Sequence, residues 1–321
     1  MPDTASAIPV TADNFIRAES DLYFRAVVGQ GGFGKFEHHR EPQDIANQTV
    51  IRLNRDTLYS AALFDLDAGP AVVTLPDSGQ RFMSMMVVNE DHYVTDVFYG
   101  AGGHVLDRET IGTRYVLVGI RTLVDPQDPR DLEQVHALQD QISSNQPGAG
   151  TFEVPQWDGA SQKIVRDALL TLGATLPDLS HAFGRPGEVD PVRHLIASAS
   201  AWGGNPDKEA IYLNFTPTRN DGQTVYRLTV KDVPVDGFWS ISVYNAEGYY
   251  AANPQNAYSI NNLTAKKDAD GGVTVQFGGD PTQAKNFIAT MPGWNYLVRL
   301  YRPRAEVLDG TWKFPEAAAI T

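Results

Sequence analysis

Two short polar blocks sit among apolar runs of this chain. They are Asn54-Arg55-Asp56-Thr57-Leu58-Tyr59 and Asn89-Glu90-Asp91-His92-Tyr93. Burying carboxylates, a histidine and an arginine costs several kcal/mol unless the groups are paired or used. These blocks are therefore the first candidates for chemistry. Read as a strand, the first block places Arg52, Asn54 and Asp56 on one face, and Arg55, Thr57 and Tyr59 on the other. Arg52 or Arg55 then offers a planar fork to a carboxylate or another anion, with Asp56 and Tyr59 as reacting groups. The structural alternative is a satisfied network, in which Asn54 and Asp56 bond turn amides and Asp56 pairs an arginine. In the second block a continued strand makes Glu90 and His92 share a face, with Asp91 and Tyr93 opposite. Glu90 would orient His92 as an acid/base titrating near neutrality. The alternative is a strand-end histidine capped by a carboxylate for stability. The two blocks are expected to converge in one site of the N-terminal domain.

Other residues add to or compete with this site. His38 and His39 adjoin, and one of them with His92 and Glu90 or Asp56 would give a two-histidine, one-carboxylate metal site. Adjacent histidines on a strand point oppositely, so only one could ligate, and the metal question stays open. Aromatic residues are dense in the C-terminal half. Trp239 and Tyr296 read as core, whereas Tyr249, Tyr250, Asn256 and Tyr258 fall in an expected loop where Tyr250 and Tyr258 could wall a ligand pocket. Nucleophilic catalysis has little support: there is no Gly-x-Ser-x-Gly elbow and no cysteine. Gly29–Gly34 follows no strand and precedes no Lys-Ser/Thr, so it reads as a turn rather than a phosphate loop.

The elements that must position these groups follow from periodicity. Helices are expected over 11–28 with Thr11 as N-cap, over 128–144, over 158–175 with Ile164, Val165, Ala168, Leu169 and Leu172 inward, and from Asp190-Pro191 onward. Short apolar runs predict strands at 49–53, 71–75, 81–88 and 114–120, with a turn at 76–79. A second β-rich stretch starts near Ile211 and includes 224–231, 237–244, 273–277 and 296–301. The pattern predicts a mainly β, α+β protein: a β-rich domain over 1–125, a helical connecting region over 126–200, and a β-sandwich or jelly roll over 201–321.

Composition bounds the partners. The chain has 321 residues, 42% of them hydrophobic, enough for two cores. Its net charge of −13, without a Lys/Arg run, argues against nucleic-acid and anionic-membrane surfaces. The absence of cysteine excludes disulfides, thiolate catalysis and iron–sulfur clusters. Met1–Ser6 shows no basic and apolar signal pattern, and no apolar run approaches membrane-spanning length, so a cytoplasmic location is the simplest expectation, with a periplasmic or secreted one if a signal has been trimmed.

Asn54-Arg55-Asp56-Thr57-Leu58-Tyr59-Ser60, Glu90-Asp91-His92-Tyr93-Val94 and Tyr99-Gly100 resemble the domain of unknown function 1254. Val235-Asp236-Gly237-Phe238-Trp239-Ser240, Asn253-Pro254 with Asn256 and Tyr258-Ser259, and Val307 to Trp312 resemble its usual partner, the domain of unknown function 1214. The resemblance implies a β-rich N-terminal domain followed by a jelly-roll-like one, and implies no activity. The functional expectation is a protein that binds or transforms a small molecule at a polar site of the N-terminal domain near the domain junction. It would use His92 and Glu90 as acid/base pair, Arg52, Asn54, Arg55 and Tyr93 as ligand contacts, and it allows a homo-oligomer. The competing expectation is a non-catalytic binding or assembly module in which the same residues form a buried brace. The cofactor question stays open.

Overall fold

The computed structural model describes residues 7–48 and 51–320. The expected strand residues Thr49 and Val50, and the Met1–Ser6 stretch, lie outside the described residues. By contacts the chain forms two compact units, each discontinuous in sequence. The first comprises Met1–His39, Tyr59–Thr122 and Gln134–Asp207; the second comprises Arg40–Leu58, Leu123–Glu133 and Lys208–Thr321. Most of the expected helical connecting region thus belongs to the first unit.

The first unit holds strands β1 (Glu37–His38), β2 (Thr57–Asp65), β3 (Ala71–Leu75), β4 (Met83–Asn89), β5 (Val94–Tyr99), β6 (Gly102–Leu106), β7 (Tyr115–Leu123) and β8 (Ser143–Asn145). A five-stranded sheet runs β1-β2-β7-β4-β5 and a three-stranded sheet runs β6-β3-β8. One face of the larger sheet packs Phe64, Met85, Val87, Val116, Val118 and Ile120 against Ala71, Val73 and Leu75 of β3. Each such side chain stabilises the fold by roughly 1.5–3 kcal/mol on leaving water. The other face is covered by helices. Phe24 of α1 (Phe15–Gly29) meets Leu63, Tyr115 and Leu117, and Ala197 of a later helix joins Met86, Val88 and Phe183.

The remaining helices are α2 (Arg108–Ile111), α3 (Pro129–Gln141), α4 (Gly159–Gly173), α5 (Pro191–Ser200) and α6 (Ala305–Leu308). Asp190 caps α5 as expected, its carboxylate accepting from the Val192 and Arg193 amides with Pro191 in the first turn. Two helical expectations are corrected. Thr11 does not cap α1, which starts at Phe15 after Asn14. In α4 the buried residues are Gln162 and Leu169, whereas Ile164 and Leu172 are exposed. The buried polar face of α1 sets that rotation: Glu19 takes both a bidentate Arg166 and the Gln162 amide.

The second unit holds β9 (Ala210–Phe215), β10 (Tyr226–Val230), β11 (Trp239–Tyr244), β12 (Ser259–Asn261), β13 (Val273–Phe277), β14 (Asn286–Ile288), β15 (Asn295–Tyr301) and β16 (Ala318–Ala319). They form two four-stranded sheets, β14-β13-β10-β16 and β12-β11-β15-β9. Tyr226, Leu228 and Val230 of the first sheet meet Trp239, Ile241, Val243, Val298 and Leu300 of the second in one core, the expected sandwich. The β10 register is the alternation expected from sequence, buried at every second residue. β11 and β15 are instead buried along their whole length. Their core-facing residues are apolar. Their other face carries Ser240, Ser242, Tyr244, Asn295, Leu297 and Arg299, and it too is shut off from water.

The strand expected over 49–53 is not formed in its described part. Ile51 and Arg52 make a turn, and Arg52 adopts the left-handed region at φ 53°. The Asn54 side chain accepts from the Asp56 amide at 2.8 Å, an Asx turn that competes with strand pairing. β2 begins only at Thr57, so the alternation drawn through Arg52, Asn54 and Asp56 does not apply.

Candidate functional site

The two polar blocks do not make one site of the N-terminal domain. Arg52 to Asp56 belong to the second unit, while Tyr59 and Glu90 to Tyr93 belong to the first.

In the first unit, β4 ends at Asn89 and β5 begins at Val94, so no strand carries Glu90 and His92 on one face. The Asn89 carboxamide folds the intervening turn. Its oxygen accepts from the Asp91 and Tyr93 amides, each at 3.0 Å, and its NH2 donates to the Ile111 carbonyl at 3.1 Å. His92 takes the left-handed conformation at φ 61°. Glu90 consequently turns away. It accepts from the Tyr115 amide at 3.0 Å and meets Arg17 at 3.5 Å. It is not the orienting carboxylate of His92. Asp91 takes a two-pronged bond from Arg17 at 2.6 and 3.0 Å.

His92 is fully buried. The Gly203 amide donates to its Nε2 at 2.8 Å, which fixes the proton on Nδ1. That Nδ1–H donates to Ser198 Oγ at 2.8 Å, and Ser198 Oγ donates to the His194 carbonyl at 2.9 Å. Burial, with His194 alongside, holds protonation of His92 well below the ordinary imidazole range. The ring is thus neutral, with both nitrogens committed. It lies within a run of near-parallel rings: Tyr93 on His194 at 4.7 Å, His194 on His92 at 5.3 Å, His92 on Trp202 at 5.1 Å, and Trp202 on Tyr23 at 4.4 Å. Offset stacking of this kind adds to area burial by roughly 0.5–1.5 kcal/mol per pair. His194 points its two nitrogens at the Ala182 and Asp91 carbonyls, at 2.9 and 3.0 Å. Sequence reasoning missed His194 and Ser198, because α5 contacts the turn across about a hundred residues of chain.

Tyr59 stands on β2 with the Arg121 guanidinium 5.6 Å above its ring. His38 bonds Ser60 Oγ at 2.8 Å. Among the described residues no three histidine or carboxylate groups come together to hold a metal, so His38, His92 and Glu90 do not form the ligand set considered from sequence.

The second unit assembles the other candidates. On the polar face of the sheet β12-β11-β15-β9, Asn261, Ser240 and Arg299 are direct cross-strand neighbours. Arg299 is buried and donates to Ser242 Oγ at 3.0 Å, the Arg52 carbonyl at 2.8 Å, the Leu53 carbonyl at 3.2 Å and Tyr244 OH at 2.8 Å. Tyr244 OH in turn donates to the Leu53 carbonyl at 2.6 Å. The Arg52–Asp56 segment is therefore fixed onto this face by backbone carbonyls that satisfy a buried guanidinium. Asp56 accepts from Asn261 Nδ2 at 3.0 Å through one oxygen. Its other oxygen has no well-formed hydrogen bond, but the Ser240 hydroxyl is close enough to act on the carboxylate, whereas Arg52 Nη1 is buried without a hydrogen-bond partner. Burial pushes the Asp56 carboxyl up from its usual range, against the pull of Arg299, Ser240 and Asn261.

Around this cluster the arginines lean on tyrosines. Arg52 lies 5.8 Å from the Tyr244 ring and Arg55 lies 5.7 Å from the Tyr258 ring. Arg55 also donates to the Gln43 carbonyl. Tyr250 is not the exposed loop aromatic expected. It is buried, its hydroxyl donates to Ser242 Oγ at 3.1 Å, and burial pushes that hydroxyl well above the ordinary phenol range. Asn54 serves the turn, and its NH2 donates to Thr57 Oγ1 at 3.2 Å and Tyr301 OH at 3.3 Å. So Arg52, Asn54, Arg55, Asp56, Tyr250 and Tyr258 do meet, whereas Tyr59, Glu90, His92 and Tyr93 lie in the other unit. Arg299 was legible as a charge inside the apolar run 296–301, and Ser240 and Ser242 as the polar alternates of β11.

Over the whole chain the fold is similar to the VPA0106 protein from Vibrio parahaemolyticus, with a TM-score of 0.71 at 16% identity, covering 97% of this chain and 98% of that one. It is also similar to a putative uncharacterized protein from Burkholderia cenocepacia, with a TM-score of 0.51 at 16% identity, covering 93% and 88%. No curated protein matches the chain. Residues 33–107 match the family described as protein of unknown function DUF1254, and residues 211–305 match the family described as protein of unknown function DUF1214. The chain thus carries a DUF1254 match followed, in chain order, by a DUF1214 match.

Proposed function

We propose that the chain binds a small carboxylic acid at the polar face of the β12-β11-β15-β9 sheet, with Arg52 and Arg55 holding the carboxylate. The observation that carries this reading is Arg52 Nη1, a buried guanidinium nitrogen without a hydrogen-bond partner. Such a group costs free energy until an acceptor reaches it. Neighbouring Arg299 has spent its donors on carbonyls and hydroxyls, and Asp56 is the carboxylate that acts on both Arg299 and Arg55. The cluster is thus richer in guanidinium than in carboxylate, which suits an incoming anion. Asp56, held toward its protonated form, is suited to donate a proton to a ligand oxygen, and the Tyr258 ring is suited to flank the apolar part. Arg52, Arg55 and Tyr258 are half-buried, so a ligand approaches from their side of the cluster.

Binding of a panel of small monocarboxylic and dicarboxylic acids to the purified full chain, by calorimetry, tests the reading against the matching primary amides. Acids should bind and amides should not. Arg52→Met should weaken acid binding by about tenfold or more, the scale of a hydrogen bond to a charged group. Equal binding of acids and amides, or acid binding untouched by Arg52→Met, would refute it.

The brace reading is favoured for the His92 group. Both ring nitrogens are engaged by Gly203 and Ser198, which supports a structural role there in place of an acid/base.

A further inference from the structure

A separate concavity in the second unit has no part in the site above. It has a volume of about 220 Å³ and is lined by Val230, Val233, Val273 and Trp239, with Lys231, Asp232, Asn262, Lys267 and Gly271 at its sides. We propose that it is a second binding site, for a small aromatic or branched carboxylate of about benzoate size.

Three features carry this. The first is the apolar part of the wall. Val230 and Val273 are direct cross-strand partners on β10 and β13, and Trp239 stands on β11, so the cavity opens where the two sheets of the sandwich meet. The second is size. A dry apolar cavity of about 150 Å³ accepts benzene, so this one accommodates a benzene-sized body with a polar substituent. The third is a set of donors with few protein acceptors. Lys231 has only a long pairing with Asp270 at 3.9 Å. Among the described residues no carboxylate pairs with Lys267, and no acceptor is bonded to the Trp239 indole N–H. Two ammonium groups and an amide side chain beside an apolar wall suit a ligand with one anionic, acceptor-rich end. Asp232, the acidic wall residue, is exposed and held at φ 50°. It disfavours dianions, so the class is a monocarboxylate.

The test uses benzoate and benzyl alcohol as probes of the full chain, read by ligand-observed NMR and calorimetry. Benzoate should bind saturably and more tightly than benzyl alcohol. Lys267→Gln alters an exposed residue. It should weaken benzoate by about two- to fivefold, the range of an exposed ion pair, and leave benzyl alcohol unchanged. Val233→Phe fills the cavity and should weaken both probes by about tenfold or more, with unchanged circular dichroism confirming the fold. Arg52→Met should leave benzyl alcohol and the Val233-dependent part of benzoate binding intact, which separates this site from the acid site proposed above. The proposal falls if benzoate does not saturate, if Lys267→Gln leaves the benzoate-to-alcohol preference unchanged, or if a folded Val233→Phe binds both probes as the parent does.

Discussion

Asp21 offers a direct reading of how the buried polar face of α1 contributes to stability. Its carboxyl is buried, with one oxygen accepting from the Trp157 indole N–H at 2.8 Å and the other without a partner. Burial pushes it from 3.8 up to about 6, assisted by Glu90 and opposed by the Trp157 bond, Arg17 and Arg25. The folded state therefore binds this proton more tightly than the unfolded chain. The resulting stabilisation is fully present below about pH 3.8 and is lost as pH rises through about 6. A rise of roughly two units corresponds to about 3 kcal/mol. Asp21→Asn keeps an oxygen for Trp157 and removes the titration. The variant should match the parent near pH 4 and exceed it by about 2–3 kcal/mol at pH 7.5. Urea unfolding of both proteins at the two pH values measures the double difference, in which every other titrating group cancels. A double difference near zero, or a variant less stable than the parent at pH 7.5, would refute the assignment of an uncompensated buried carboxylate.

Two further perturbations test the polar groups described above. His92→Gln should cost about 1–3 kcal/mol, because a Gln cannot meet both the Gly203 amide and Ser198 Oγ in the same geometry, and ligand binding at the Arg52 cluster should be unaffected. Unfolding and calorimetry on the same preparation separate this from a catalytic role, which would leave stability unchanged. Arg299→Lys should destabilise by about 3–5 kcal/mol despite conserving charge, since a single ammonium cannot bridge Ser242, Tyr244 and the Arg52 and Leu53 carbonyls as the planar fork does. A variant as stable as the parent would show that this network does not hold the 52–53 segment.

Much of the architecture was legible because it rests on local periodicity. The β10 alternation, the β3 and β13 runs and the Asp190-Pro191 start of α5 are set by side-chain period and cap chemistry within a few residues. The two misread polar blocks share one cause. At Arg52–Asp56 and at Glu90–Tyr93 a single asparagine side chain competes with the ladder for backbone amides and converts an expected strand into a turn. Once the alternation is broken, any assignment of faces made from it fails, which is why Glu90 and His92 were paired in error. The polar composition of these blocks still marked them correctly as groups that need partners inside the protein.

What local pattern could not supply was the identity of those partners. For His92 they are Ser198 and Gly203, and for Asp56 the neighbours are Asn261 and Arg299, each more than a hundred residues away. The two outcomes differ in satisfaction, and that difference assigns their roles. At His92 every ring nitrogen has found a partner of the correct donor or acceptor type, so no protein atom there is left to meet a ligand. At Arg52 a buried guanidinium nitrogen remains unmatched, while the Asp56 carboxylate has Asn261 and Ser240 acting on it. An unmatched buried atom alone does not mark a ligand site, since Asp21 leaves one oxygen unmatched inside the first unit. What singles out Arg52 is that its unmatched nitrogen belongs to a half-buried guanidinium beside a second arginine, where an incoming carboxylate would find two forks, and Arg52→Met is the change that should remove that binding.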